Sequence, residues 1–340
     1  MKRISRPNTR WWLVAAAVIA AQEVPAREQL VAGMDSDGDA VTVFDAAGDS
    51  RQFRPYGAGF TGGVRVASGD VNSDGIADIV TGSGPGIAAR VRVFDGVTLQ
   101  AIIDLEPFGT QFSGGVYVAV GDVNGDGTPD IITAAGPGGG PHVRVFDGQS
   151  FAEHAQFMAY EPSFNGGVHV AAGDVNGDGQ ADIITGPGAG GGPHVKVFSG
   201  RDSELLNQFL AYGPNNLGGV FVAAGDWNGD GLADLVTAPG AGDEPEVRVF
   251  SALDGEPLMG FTAYPGFQGG VRVATGDVNG DGLADIITSP GSGGAPLLTR
   301  FLAPTGSNGD SVPVFDSGYT GGVFVANVVL PTVLHRDGFE

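Results

Sequence analysis

The sequence predicts an all-β fold, a six-bladed β-propeller of four-stranded blades in which one blade is closed by strands from the two ends of the chain. Three observations carry this. The block Gly-Gly-Val-x-Val-Ala begins at Gly62, Gly114, Gly166, Gly218, Gly269 and Gly321, at spacings of 52, 52, 52, 51 and 52, and a fixed period of this kind marks a repeat architecture. Each unit holds four short β-type runs separated by turn residues, as at 116–120, 130–133, 143–146 and 156–160. Aspartate outnumbers glutamate 29 to 10, and 60 of the 340 residues are glycine, a balance that favours turns over helices. The glycines follow no Gly-X-Y period, so collagen is excluded, and 42% hydrophobic residues suffice for a large core.

At the N-terminus, Lys2, Arg3, Arg6 and Arg10 precede an unbroken apolar run from Trp11 to Ala21. Eleven apolar residues are too few to span a bilayer, for which a helix needs about 20, and small residues follow as cleavage positions. Residues 1–21 therefore read as an export signal, 22–28 as a linker, 29–330 as the propeller and 331–340 as a C-terminal tail. The expected location is secreted, extracellular or at the cell surface, the periplasm included, with no stable membrane insertion after cleavage. The chain contains no cysteine, which excludes disulfides, thiolate zinc sites and cysteine nucleophiles.

The two chain ends predict how the ring closes. Leu30-Val31-Ala32-Gly33 matches a second strand and Val41 to Asp45 a third, with no first strand before them. The C-terminal side ends on an orphan first strand, Gly321 to Ala326. Five blades are contiguous and the sixth is split. Such a clasp removes the free sheet edges that template aggregation; an open solenoid would leave both ends unsealed.

Directly after the first strand, five units carry Asp-x-Asn-x-Asp-Gly-x-x-Asp. Side-chain oxygens at alternate positions, a glycine for the sharp turn, one backbone carbonyl and a closing aspartate form an all-oxygen donor set suited to Ca²⁺, so about five ions are expected. The ligand sets are Asp70, Asn72, Asp74, Ile76 and Asp78; Asp122, Asn124, Asp126, Thr128 and Asp130; Asp174, Asn176, Asp178, Gln180 and Asp182; Asp226, Asn228, Asp230, Leu232 and Asp234; and Asp277, Asn279, Asp281, Leu283 and Asp285. The seventh residue varies, as it can if only its carbonyl coordinates. An EF-hand is rejected because position 12 is Thr81, Thr133, Thr185, Thr237 or Thr288 instead of glutamate, and the flanks are β-branched. Three carboxylates within nine residues repel one another without a cation. The sixth copy has no acids after Ala326 and is expected to hold no ion. Asp35, Asp37 and Asp39 lie between second and third strands and read as a solvated turn.

With Gly114 to Gly127 and Asp130-Ile-Ile-Thr in view, the chain resembles the FG-GAP (VCBS-type) repeat family, the integrin α-subunit type of β-propeller. Pro107-Phe108-Gly109 and Gly136-Pro137-Gly138 look like that family's FG and GAP landmarks. The resemblance implies Ca²⁺ in loops on one face, ligand binding on the opposite face, and an extracellular adhesion or binding role. Integrin heads have seven blades, against six copies here. The terminal Asp337-Gly-Phe-Glu340 resembles tails on some exported bacterial proteins.

The formal charge of −22 argues against nucleic acid and anionic lipid and favours a cationic partner. No Gly-x-Ser-x-Gly elbow, His-Glu-x-x-His or Walker loop occurs. His142 and His194 sit where other units have Arg90, Glu246 or Leu297, so they read as loop residues, and no blade shows a unique polar cluster in its upper loops. The variable residue of Gly-Gly-Val-x-Val-Ala is Arg65, Tyr117, His169, Phe221, Arg272 and Phe324. Either these six ring the axis, where they suit a sugar or carboxylate ligand, or they pack between adjacent blades. The expected function is a secreted calcium-binding module for an extracellular protein or glycan, without catalysis. The competing classes are a carbohydrate-binding lectin and a non-catalytic domain related to an extracellular hydrolase or lyase.

Overall fold

The computed structural model describes residues 30–45 and 48–327. The expected export signal (1–21), linker (22–28) and C-terminal tail (331–340) lie outside the described residues. Six four-stranded antiparallel sheets stand around an axis. Their innermost strands are β4 (Val64–Gly69), β8 (Val116–Gly121), β12 (Val168–Gly173), β16 (Val220–Gly225), β20 (Val271–Gly276) and β24 (Val323–Asn327). Next outward come β5 (Asp78–Ser83), β9 (Asp130–Ala135), β13 (Asp182–Pro187), β17 (Asp234–Pro239), β21 (Asp285–Pro290) and, in the split blade, β1 (Leu30–Met34). The third strands are β2 (Val41–Phe44), β6 (Val91–Phe94), β10 (His142–Phe146), β14 (His194–Phe198), β18 (Glu246–Phe250) and β22 (Leu297–Leu302). The outermost are β3 (Ser50–Phe53), β7 (Ala101–Leu105), β11 (Glu153–Met158), β15 (Leu205–Leu210), β19 (Pro257–Thr262) and β23 (Ser307–Pro313).

Closure follows the expected clasp. In the split blade the order is β24-β1-β2-β3, with Val31 opposite Ala326 and Gly33 opposite Phe324. β24 lies against both β20 and β4, so the ring is complete. The outer strand expected at 156–160 runs instead over Glu153–Met158, paired along the whole of β10 from His142 opposite Met158 to Phe146 opposite Glu153, with a bulge between Val145 and Phe146.

Burial follows radial position. The second strands of the five contiguous blades are buried along their whole length, since blades cover both of their faces. The outermost strands β11, β15 and β19 alternate exposed with half-buried, the signature of a sheet edge facing water. Between blades the core is made of β-branched side chains such as Ile131, Ile132, Ile183, Ile184, Ile286 and Ile287, all fully buried. Each contributes on the order of 1.5–3 kcal/mol.

The Gly-Gly doublet is explained by backbone contact between blades. Its second glycine has φ between 82° and 92° in all six copies, and a Cβ on Gly63 would stand 1.9 Å from the Asp35 carbonyl oxygen. Only glycine fits. The Gly63 carbonyl accepts from Gly84 N–H at 2.8 Å, with equivalent bonds from Gly136, Gly188, Gly240 and Gly291, while the split blade uses Asp35 N–H to Gly322 O at 2.9 Å.

Candidate functional site

The five acidic loops join each first strand to the second, all on one face, here called the lower face. In the first loop Asp70 accepts from the N–H groups of Asp74 (3.0 Å) and Gly75 (2.8 Å), Asn72 Oδ1 accepts from Asp74 N–H (2.9 Å) and Asp74 from Ile76 N–H (2.8 Å). These bonds wind the chain into a tight turn with its oxygens gathered on a short arc. The second, fourth and fifth loops repeat the pattern, as in Gly127 N–H to Asp122, Gly231 N–H to Asp226 and Gly282 N–H to Asp277.

The ninth aspartate behaves differently. Asp78, Asp130, Asp182 and Asp285 are fully buried and Asp234 is 3% exposed. Asp78 Oδ2 accepts from Val71 and Asn72 N–H, and its Oδ1 accepts from Gly96 N–H, all at 3.1 Å. Gly148, Gly200 and Ala303 donate in the same way to Asp130, Asp182 and Asp285. The closing residue therefore also staples its loop to the turn between the third and fourth strands. Burial pushes the Asp78 carboxyl up to about 7 against the pull of these N–H donors, and Asp182 and Asp234 up to about 6. Asp130 and Asp285 are raised for the same reason.

Among the described residues none of the loop carboxylates enters an ion pair with arginine, lysine or histidine, and no three His, Asp or Glu side chains stand as a ready metal-ligand group. Buried carboxylates without a cationic partner, next to an oxygen-only donor set, fit a hard divalent cation. The residues that would hold it are the first, third, fifth and ninth side chains with the seventh carbonyl.

Three features here were not legible in the sequence. Neighbouring loops are bonded to each other, Asp122 O accepting from Ala181 N–H, Asp174 O from Ala233 N–H and Asp226 O from Ala284 N–H, at 2.7–2.8 Å. Proline at position 129 removes the donor that would extend this chain to the first loop. The variable seventh side chains Gln180, Leu232 and Leu283 lie over Gly125, Gly177 and Gly229 of the preceding loop, so their variation is tied to blade packing. Finally, Asp95 and Asp147, from the turn after the third strand, accept from Asn72 and Asn124 Nδ2 at 3.3 and 3.0 Å. Each adds a fourth carboxylate to the first two loops. The twelfth-position threonines also acquire a role: Thr81 and Thr237 pair with Tyr56 and Tyr212 hydroxyls at 3.1 Å, each tyrosine reaching in from the preceding blade.

The six variable inner-strand residues meet around the axis instead of packing between blades. The Arg65 guanidinium stands 5.2 Å from the Tyr117 ring centre and 5.1 Å from that of Phe324; Arg272 stands 4.3 Å from Phe221 and 5.4 Å from Phe324. His169 stacks on Phe221 at 3.9 Å and meets Tyr117 edge-on at 4.6 Å. They leave a cavity of about 80 Å³, room for a few waters. His169 Nδ1–H donates to Val220 O at 2.6 Å. Burial holds its imidazole down at about 3, with Arg272 and Arg65 adding to the effect.

Several expectations are corrected. Asp35, Asp37 and Asp39 are not a solvated turn as a group: Asp35 is paired with Arg272, and the fully buried Asp39 bonds Arg54 at 2.8 Å, leaving only Asp37 exposed. Their spacing placed them correctly, but the partners come from segments remote in sequence. His142 and His194 begin strands β10 and β14 and are half-buried, because pairing with the outer strand extends one residue further than expected. One blade does hold a distinct polar cluster on the upper face, where Asn216 meets Asp243, Glu244, Glu246 and Arg248 in a cleft of about 330 Å³.

The family model described as FG-GAP-like repeat matches residues 122–185 and 226–288. Each stretch begins on the first aspartate of one acidic loop and ends on the twelfth-position threonine of the next.

Proposed function

We propose, from the premise that this chain is an FG-GAP repeat β-propeller, that it is an exported, Ca²⁺-braced ligand-binding module of the extracellular or cell-surface space and not a catalyst. The observation that carries the reading is the set of five ninth-position aspartates, nearly or fully buried in register on one face and, among the described residues, in no ion pair with a cationic side chain. Ca²⁺ bound there supplies the missing positive charge. This chain's own residues do the rest: Asp70, Asn72, Asp74 and their equivalents hold oxygens on the arc, the seventh carbonyl joins them, and in four of the five loops the ninth aspartate ties the loop to the next turn outward. Ion binding to the folded state alone is folding free energy, which suits a cysteine-free chain outside the cell. With the lower face committed to bracing and the axis plugged by aromatic rings, the upper face is left for an extracellular protein or glycan. Among the described residues no helix is long and apolar enough to cross a membrane.

Equilibrium dialysis of the full chain against ⁴⁵Ca²⁺, followed by a glycan and extracellular-protein array in Ca²⁺ and in chelator, tests the proposal. About five ions per chain and a ligand retained only in Ca²⁺ are expected. Fewer than two ions, or array binding indifferent to chelation, would contradict it.

A further inference from the structure

We infer that the upper-face cleft at Asn216 is a recognition site for an organic cation, an ammonium or guanidinium group. The inference names a ligand class for the binding module proposed above and rests on that reading.

The argument begins with a missing ring. Two residues before the Gly-Gly doublet, five blades carry an aromatic side chain: Phe60, Phe112, Phe164, Phe267 and Tyr319. Each packs against a second ring a few residues upstream, as in Tyr56–Phe60 at 5.4 Å, Phe108–Phe112 at 5.8 Å and Tyr160–Phe164 at 5.9 Å between centres. In several blades that ring also covers the glycines of the loop above it; Cβ atoms built on Gly62, Gly114, Gly139 and Gly191 would strike it. The remaining blade has Asn216 at this position. A Cβ built on Gly218 meets only backbone of the loop 240–241. Where the other blades are plugged, this one opens into a cleft of about 330 Å³ between the 212–216 segment and the 243–248 segment, a volume in the range of small-ligand sites.

Asn216 is itself 7% exposed, and its Oδ1 is a buried acceptor with no donor. An unsatisfied buried carbonyl is destabilising, so a donor that reaches it on binding is favoured there. The opposite wall supplies more acceptors. At the positions of Asp243 and Glu244 the other contiguous blades carry Ile87-Ala88, Gly139-Gly140, Gly191-Gly192 and Gly294-Ala295, so the acids belong to this blade alone among the five. Arg248 does not neutralise them. Its Nη2 donates to Glu246 at 2.7 Å, its Nη1 to Ala211 O at 2.9 Å, and its guanidinium lies 5.0 Å from the centre of the Tyr212 ring. Asp243 and Glu244 enter no ion pair among the described residues. A site lined by acceptors and carrying two uncompensated negative charges complements a group that is all donors and positively charged. The overall charge of −22 draws the same partner in from solution. A neutral polyol can donate hydroxyls to Asn216 but leaves both carboxylates unpaired.

The test is calorimetric titration of the full chain, saturated with Ca²⁺, using agmatine as guanidinium probe, spermidine as ammonium probe, an arginine-bearing peptide, and citrulline amide and methyl glucoside as neutral controls. Agmatine is expected to saturate one site and to bind at least about tenfold tighter than either neutral control. The double variant Asp243→Asn with Glu244→Gln is expected to lose at least about tenfold in affinity. Asn216→Phe, which restores the plug, is expected to abolish binding while melting no lower than the parent. Tighter binding of the peptide than of spermidine assigns the cation to a protein partner, and the reverse order assigns it to a free amine. Equal affinity for methyl glucoside, wild-type affinity in either variant, or no saturable binding by any cation would overturn the inference. Loss of cation binding in a protein that still takes up about five Ca²⁺ and retains a ligand from the array sinks this inference alone; loss of all three sinks the module reading with it.

Discussion

Replacing His169 by phenylalanine tests the axial plug through its pH dependence. His169 is buried, stacked on Phe221 at 3.9 Å, and faced by Arg65 and Arg272, which share the same axial cavity. Its imidazole is held down to about 3 from the ordinary 6.5, first by burial and then by the two guanidinium groups, against a raising effect of the Val220 carbonyl. The folded-state value is depressed, so the unfolded chain binds the extra proton and stability is lost as pH falls below about 6.5. Each pH unit in that window is worth about 1.4 kcal/mol, so this one group destabilises the fold by about 2 kcal/mol at pH 5 and by on the order of 5 kcal/mol below pH 3. Phenylalanine keeps the stacking and gives up the bond to Val220 O, a loss of about 1–3 kcal/mol at pH 7.5. Guanidinium chloride unfolding of both proteins at pH 7.5 and pH 5, in saturating Ca²⁺, isolates the histidine, because carboxylate titration is common to the two. The variant is expected to be the less stable protein at pH 7.5 and to lose about 2 kcal/mol less than the parent between pH 7.5 and pH 5. Parallel pH slopes would refute a neutral, desolvated imidazole at the axis.

Other substitutions separate bracing by protein groups from bracing by the ion. Asp182→Ala orphans the buried N–H groups of Val175 and Gly200 and should lower stability by about 2–4 kcal/mol in chelator, and by more in Ca²⁺, because the ninth carboxylate is also a ligand. Asp178→Ala removes an exposed fifth-position oxygen and should lower the melting temperature only when Ca²⁺ is present; an equal drop in chelator would argue against coordination. Ser73 holds φ at 60° where the other four loops have glycine, so Ser73→Gly should raise stability by about 0.5–1 kcal/mol in denaturant titrations. Gly63→Ala places a methyl 1.9 Å from the Asp35 carbonyl at the ring's closing seam and should lower stability by more than about 3 kcal/mol, with hydrogen exchange accelerating first in β1 and β4.

The blades, their number and the split closure were legible because the 52-residue period repeats the same strand signals, so the errors of any single unit are averaged out. The acidic loops were legible for the same reason, each being a continuous stretch of nine residues. What escaped were contacts joining segments far apart in sequence: Asp78 to Gly96, Asn72 to Asp95, and Asp122 O to the next blade's Ala181. The axial ring could be listed from the sequence as six positions, but its mutual stacking depends on side chains meeting across the channel. The cleft at Asn216 is a departure from the repeat, and a period-based reading emphasises what recurs. Its signal was present as asparagine in a column of aromatics, and only the facing Asp243 and Glu244 give that change a chemical meaning.

Differential scanning calorimetry of the full chain, with millimolar Ca²⁺ and again with excess chelator, asks most directly whether ions in the five loops brace the closed ring. A site held at a hundred times its dissociation constant adds about 2.7 kcal/mol, so several such sites predict a fall of roughly 10 °C or more on chelation, restored by added Ca²⁺. Superimposable transitions in the two buffers would contradict the account.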